Sequence, residues 1–183
     1  MTELDPVAVE ADKFANQLVY ELSWLVEILR KNPPSSVLEI GVEHGGSMWA
    51  WAQVATDDAR LMGIDAALSG NGFEETVTRW PWPARAQQTL CWVQAMSQSP
   101  EAVAEATARA PFDFLFIDAD HALEPAKLDF ELYSPLVHPG GIVGCHDVVN
   151  QAKEFWAWIK QEHKTDECVD PNNQGCGMGV IYL

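Results

Sequence analysis

Apolar positions change their spacing several times along the chain, and each change predicts an element. From residue 8 to about 31 they recur every three to four residues, including Phe14, Leu18, Leu22, Leu25, Ile28 and Leu29. This spacing predicts one or two amphipathic helices, ended by Pro33-Pro34. Val37-Leu38-Glu39-Ile40 is instead a short run that meets glycines at once, the pattern of a buried strand entering a tight turn. A helix is predicted from about Ser47 through Trp49, Trp51 and Val54. The alternation then repeats: Leu61 to Ile64 ends at Asp65, Leu90 to Val93 leads to a helix near 99–109, and Phe112 to Ile117 ends at Asp118. Ala126, Phe130, Tyr133 and Val137 keep a helical period and predict a crossover to the strand Gly141 to Gly144, which ends at His146-Asp147. Residues 151–163 predict another helix and Met178 to Leu183 a last strand. Segment 66–86, with Trp80-Pro81-Trp82-Pro83, predicts only partial helix and loop.

Strands alternating with helices predict a mainly parallel sheet covered on both faces, a doubly wound α/β fold. No repeat or Pro/Gly/Ser-rich linker divides the chain. The expectation is one domain over 1–183, with an N-terminal helical segment, 1–34, before a Rossmann-like core, 35–183. A chain of this length can bury roughly 70% of its unfolded surface, so one core suffices without disulfides. Cys91, Cys145, Cys168 and Cys176 show no C-x-x-C spacing and are expected as reduced thiols; Cys145 stands beside His146 and Asp147. No apolar run is long enough for a bilayer, and Met1 to Asp5 has neither the basic flank nor the apolar stretch of a signal peptide, so a cytoplasmic protein without membrane contact is expected. Eleven basic against 27 acidic residues give a formal charge of −16, which disfavours nucleic acid as a partner. A homo-oligomer remains open.

Ligands of open parallel sheets bind beyond the carboxyl ends of the strands. Glu39, Asp65, Asp118, His146 and Asp147 all fall at such predicted ends. Any one acid there also reads as a helix cap, but four strand ends carrying acids are harder to explain as caps. The turn Gly41-Val42-Glu43-His44-Gly45-Gly46-Ser47 lets the backbone approach a ligand and offers a helix N-terminus to an anionic group. It lacks G-x-G-x-x-G spacing, and Glu39 and Glu43 would crowd a pyrophosphate. A zwitterion with an amino group suits it better. Asp65 is placed to accept hydrogen bonds from ribose hydroxyls.

VLEIGVEHGGS, Val37 to Ser47, resembles the first motif of class I S-adenosylmethionine-dependent methyltransferases. PFDFLFIDADH followed by LDFELYSPLVHPGGIVGCHD resembles the metal-assisted small-molecule O-methyltransferases of that class. The nearer resemblance is to the bacterial branch related to macrolide-sugar O-methyltransferases and to proteins named cephalosporin hydroxylases, and it covers roughly residues 17–183. It implies a seven-stranded sheet with the last strand antiparallel. It assigns Glu39, Gly41 and Ser47, with Gly45 of the same turn, to the pocket for the methionine end of S-adenosylmethionine. Asp65 becomes the ribose ligand, Ser97 a partner of the adenine ring, and Asp118 a metal ligand bordering the cofactor. His121, three residues beyond Asp118, matches the general base. Two adjacent acidic metal ligands in that branch correspond to His146-Asp147, so imidazole replaces one carboxylate. Val148 stands where catechol-type enzymes carry asparagine, and Ala95-Met96-Ser97 replaces Gly-Asp-Ser, removing an acid near the adenine.

The implied chemistry is methyl transfer to a small-molecule hydroxyl, activated by a divalent metal, Mg²⁺ or Mn²⁺, with His121 taking the proton. Imidazole from His146 raises the odds of Mn²⁺, Fe²⁺ or Zn²⁺. Blander roles stand beside these: His146 as a buried histidine bonded to backbone, His121 as a helix cap, His44 as a surface residue, and His138 in a turn. Trp80, Trp82 and Trp156 are candidates for an acceptor pocket. Two other functions stay open, a metal-dependent oxygenase and a nucleoside-binding module without catalysis.

Overall fold

The computed structural model describes residues 4–67, 85–172 and 175–183. Seven strands form one sheet: β1 (Ser36–Ile40), β2 (Arg60–Asp65), β3 (Thr89–Gln94), β4 (Phe112–Ile117), β5 (Val137–His146), β6 (Lys164–Cys168) and β7 (Met178–Tyr182). Their order is β3-β2-β1-β4-β5-β7-β6. The first five are parallel, while β7 runs antiparallel to both β5 and β6. The order reverses between β1 and β4, and that switch point sets where a ligand crevice opens.

The six α-helices among the described residues are α1 (Pro6–Ala11), α2 (Val19–Lys31), α3 (Gly46–Val54), α4 (Pro100–Thr107), α5 (Leu123–Tyr133) and α6 (Lys153–Ile159). Side-chain alternation along the strands divides the core between two faces. Leu38, Ile40, Leu115, Ile117 and Val143 pack with Ala102 and Ala106 of α4, Phe130 of α5 and Phe155 of α6. Val37, Phe114, Phe116 and Val180 pack on the other face with α1, α2 and α3. There Trp51 of α3 lies edge-on to Phe114, with ring centroids 5.2 Å apart. None of the helices among the described residues is long and apolar enough to cross a membrane.

Several expectations change at this level. The N-terminal pattern resolves into two helices, as its spacing allowed, but α1 covers only Pro6–Ala11, and Phe14 and Leu18 fall in the connection before α2 starts at Val19. β6 has no counterpart in the apolar pattern, since its residues KTDEC are mostly polar and lie at the sheet edge. His138 sits in the irregular start of β5 and pairs with Asp113 at 2.9 Å, not in a free turn. Trp156 is buried against Gly179, with its indole N–H donating to Glu167, so it belongs to the core and not to an acceptor pocket. Trp80, Trp82 and most of segment 66–86 lie outside the described residues.

Candidate active site

The carboxyl ends of β1, β2, β4 and β5 open into a cleft of about 660 Å³. That volume lies in the usual range of small-molecule sites, roughly 300–1,000 Å³. The glycine turn after β1 forms one wall. Gly41 has φ +84°, and a Cβ there would stand 2.2 Å from the Asp118 carbonyl oxygen, so glycine is what allows the ends of β1 and β4 to touch. At Gly46 a Cβ would lie 2.4 Å from the Ala15 amide nitrogen. Its absence lets residues 14–17 cross the N-terminus of α3 and line the cleft.

Asp65 is buried where β2 ends and both of its oxygens are in use. Oδ2 accepts from the amides of Val42 at 2.9 Å and Glu43 at 3.0 Å, while Oδ1 accepts from Ala67 at 2.6 Å. The carboxylate therefore shapes the glycine turn as well as facing the cleft. Glu39 does not reach the cleft. It lies inside β1, and strand alternation turns it toward α3, where it is fully buried and accepts a hydrogen bond from the Ser47 hydroxyl. Burial pushes its carboxyl well above the ordinary range. Ser47 itself lines the cleft, and Gly45, with φ +76°, caps the helix that carries it. Ser97 lines the opposite side and donates to Asp129 Oδ1 at 2.7 Å, with Gln98 beside it.

Asp118, His121, His146 and Asp147 meet at one end of the cleft. Asp118 Oδ1 accepts from His121 Nε2 at 3.0 Å and from His146 Nδ1 at 3.1 Å, and Oδ2 accepts from the Gln17 amide at 2.6 Å. The other ring nitrogen of His121, Nδ1, lies 3.2 Å from Asp147 Oδ2. His121 is therefore not the cap of α5, whose N-cap residue Ala122 has no side-chain cap; Asp120 accepts from the Ala122 amide instead. His146 bonds a carboxylate and not the backbone. Asp147 adopts φ +58°, uncommon for a residue with a side chain, as β5 gives way to a turn whose Asn150 and Ala152 amides donate to the Asp147 carbonyl.

Charge balance governs this cluster. Burial opposes ionisation of Asp118, but the charge of His146 and the hydrogen bonds from both imidazoles outweigh it and hold the carboxyl well below its usual range. The hydrogen bond to Asp118 raises the pKa of His121. Burial works against the charge on His146, and attraction to Asp118 overcomes it, so that pKa is raised too. At this end of the cleft Gln17 Oε1, His146 Nε2 and Asp147 Oδ1 are buried without a hydrogen-bond partner, as are Glu39 Oε2, Trp51 Nε1, Arg85 Nε and Asp129 Oδ2 elsewhere among the described residues. Unsatisfied buried donors and acceptors at a cleft are costly unless a ligand, ion or water completes them.

Three residues of this region were not singled out from the sequence. Gln17 is a lone polar residue beside the apolar stripe of α2. Cys176 also lines the cleft, and burial with the Asp147 carboxylate beside it pushes its thiol up to about 12. The pairing of His146 with Met178 in the antiparallel β5–β7 register places the residues just before β7 next to β5's polar end. Glu21, fully buried on α2, accepts from the Gly177 amide at 3.1 Å and from the Asp170 amide at 3.0 Å, tying that segment down.

A methyltransferase-domain family model matches residues 38–148, more than half of the chain, and the chain belongs to that family. Its sheet order and helices are those of the class I, S-adenosylmethionine-dependent methyltransferase fold. Among solved structures it is similar to an O-methyltransferase of Bacillus cereus in complex with SAH, at 18% identity and a TM-score of 0.68, covering 98% of this chain and 91% of that one. It is also similar to TomG of Streptomyces achromogenes, an O-methyltransferase involved in tomaymycin synthesis and solved with SAM, at 16% identity and a TM-score of 0.63, over 99% and 91% of the two chains. SAH-bound PaMTH1 of Podospora anserina gives 16% identity and a TM-score of 0.65, over 98% and 88%. No curated protein sequence matches the chain.

Proposed function

We propose that this methyltransferase moves the methyl group of S-adenosylmethionine to a hydroxyl oxygen of a small molecule, with a divalent cation at the Asp118, His146 and Asp147 end of the cleft. The observation that carries the proposal is the meeting of those three residues with His121 beside a glycine turn and an aspartate at a strand end. In the reaction the S–CH₃ bond of the sulfonium breaks as the O–CH₃ bond forms, and the hydroxyl proton leaves to a base. His121 is that base: its imidazole lines the cleft, Nε2 stays on Asp118, and Nδ1 exchanges its contact with Asp147 for the acceptor hydroxyl before taking the proton. Asp65 holds the ribose, Ser97 faces the adenine, and the turn from Gly41 to Ser47 holds the methionine end. Positioning of donor and acceptor supplies much of the acceleration, on the order of several kcal/mol.

Ligand atoms of Asp118, His121 and His146 lie within 4.8 Å of one another, and Asp147 adjoins them through His121. Carboxylates suit Mg²⁺ or Mn²⁺, imidazole a softer ion, and the unpartnered atoms of His146 and Asp147 remain to be satisfied. When bound, such an ion lowers the pKa of the acceptor hydroxyl and orients it. A second reading is favoured by the charge balance: two imidazoles with raised pKa against two carboxylates close the network without an ion. In that reading the charged imidazoles lock the carboxylates, and His121 activates the hydroxyl only in its deprotonated form, with Asp118 holding Nε2, so transfer should rise with pH through the raised pKa of His121. Transfer of labelled methyl to a panel of hydroxylated small molecules decides between them. The first reading predicts that chelation abolishes transfer and a divalent ion restores it, and full activity in excess chelator selects the second.

A further inference from the structure

We propose that Cys176 is a metal ligand which, with His146 and Asp147, makes this a sulfur, nitrogen and oxygen site selective for Zn²⁺, Co²⁺ or Fe²⁺ over Mg²⁺. The inference rests on the reading of this end of the cleft as a metal centre, and it names a ligand that reading does not contain. One ligand atom from each of His146, Asp147 and Cys176 lies within 4.8 Å of the others. An ion with bonds of about 2.0–2.3 Å holds neighbouring tetrahedral ligand atoms roughly 3.5 Å apart, so modest side-chain rotation closes the set.

Two further observations separate this cluster from a chance cysteine. His146 is 6% exposed and Asp147 4%, yet His146 Nε2 and Asp147 Oδ1 have no hydrogen-bond partner among the described residues. A buried nitrogen and a buried oxygen left unsatisfied on the two residues that flank the thiol are what a shared ion would complete. The backbone around Cys176 is also held in place. Its carbonyl accepts from the Val149 amide at 3.0 Å, and the next residue, Gly177, donates to buried Glu21 and accepts from the Val148 amide at 3.2 Å. A thiol kept this way beside imidazole and carboxylate is pre-positioned, and pre-positioned donors are what a metal site needs.

Thiolate is a soft donor and selects against Mg²⁺, which takes oxygen ligands in near-octahedral geometry. Coordination takes the thiolate form, so the thiol proton is released to solvent as the metal binds. Glu21 acts on the site only through the loop it holds and is a positioning residue.

Titration of the metal-free protein with Co²⁺ tests the proposal without any turnover. The wild type should develop a thiolate-to-cobalt charge-transfer band in the near ultraviolet, saturating at one ion per chain. The band should vanish in Cys176→Ser and persist in Cys91→Ser and Cys168→Ser, with calorimetric binding of SAH showing that each variant is folded. Zn²⁺ affinity of Cys176→Ser should fall by at least the roughly 10–100-fold that losing even an outer-shell partner costs, with a smaller change for Mg²⁺. Stoichiometric Co²⁺ binding without the band, or a band that survives Cys176→Ser, overturns the assignment of Cys176 and leaves the metal centre standing. If SAH binds and no metal does, the metal reading itself fails and this inference with it.

Discussion

At His121 and Glu39, neighbours a few ångströms away decide which role a titratable group can take. His121 touches Asp118 at 3.0 Å and Asp147 at 3.2 Å, so its imidazole is fixed on both sides and faces the cleft. Replacing it with alanine should lower kcat by about 10²–10⁴-fold, the range for a positioned base, and leave SAH affinity unchanged in calorimetry. Unaltered turnover would reduce the residue to a brace between two carboxylates. Glu39 gives the opposite kind of prediction. Its folded pKa is raised by burial above the ordinary value of 4.5, so between the two values the folded state keeps a proton that the unfolded chain has lost. Stability should therefore fall as pH rises through that window. Glu39→Gln keeps an acceptor for the Ser47 hydroxyl and removes the titration. Its melting temperature should exceed that of the wild type at about pH 7.5, with the gain shrinking toward about pH 4, below which Glu39 is protonated in both states. A variant less stable than wild type across the whole range would show that the carboxylate is needed in its charged form.

Elements with a clear apolar period were legible in the sequence, and those placed by contacts with distant residues were not. β1, β2, β4 and the crossover helix α5 follow from runs and spacings that burial alone explains. β6 escaped because its residues KTDEC contain no apolar run, whereas β3, at the opposite edge, was legible through Leu90 to Val93. The polar strand ends brought Asp65, Asp118, His146 and Asp147 into view, but the same reasoning misplaced Glu39, since only the alternation of a formed strand turns it from the cleft to α3. Gln17 and Cys176 were hidden for a related reason. Each reaches the site across a long sequence separation, by the crossing of residues 14–17 over Gly46 and by the antiparallel return of β7. The first of these contacts is testable. Gly46→Ala places a methyl 2.4 Å from the Ala15 amide nitrogen, and the backbone there has to shift. The expected cost is about 1–3 kcal/mol of stability together with weaker SAH binding. An intact melting temperature and affinity would mean that residues 14–17 are not part of the binding wall.

For the molecule as a whole, the excess of acidic residues, −16 overall, has a practical consequence for every metal experiment. A surface this negative concentrates divalent cations without any specific site, so stoichiometry and variants at the cleft carry more weight than bulk metal content. The same charge makes a neutral or zwitterionic ligand a better fit than a polyphosphate, and S-adenosylmethionine, with its sulfonium, amine and carboxylate, agrees with that field. The fold supplies the rest, with the switch point between β1 and β4 opening the cleft and the strand ends, the glycine turn and residues 14–17 furnishing its walls. The central claim is that this cleft is an S-adenosylmethionine site, and calorimetric titration of the metal-free protein with SAH tests it most directly. One molecule per chain should bind with a dissociation constant on the order of micromolar. Asp65→Ala should weaken binding at least about tenfold and also lower the melting temperature, because hydrogen bonds to a charged group contribute about 1.5–3 kcal/mol each and three turn amides lose theirs. No heat and no thermal shift at millimolar SAH would contradict the account.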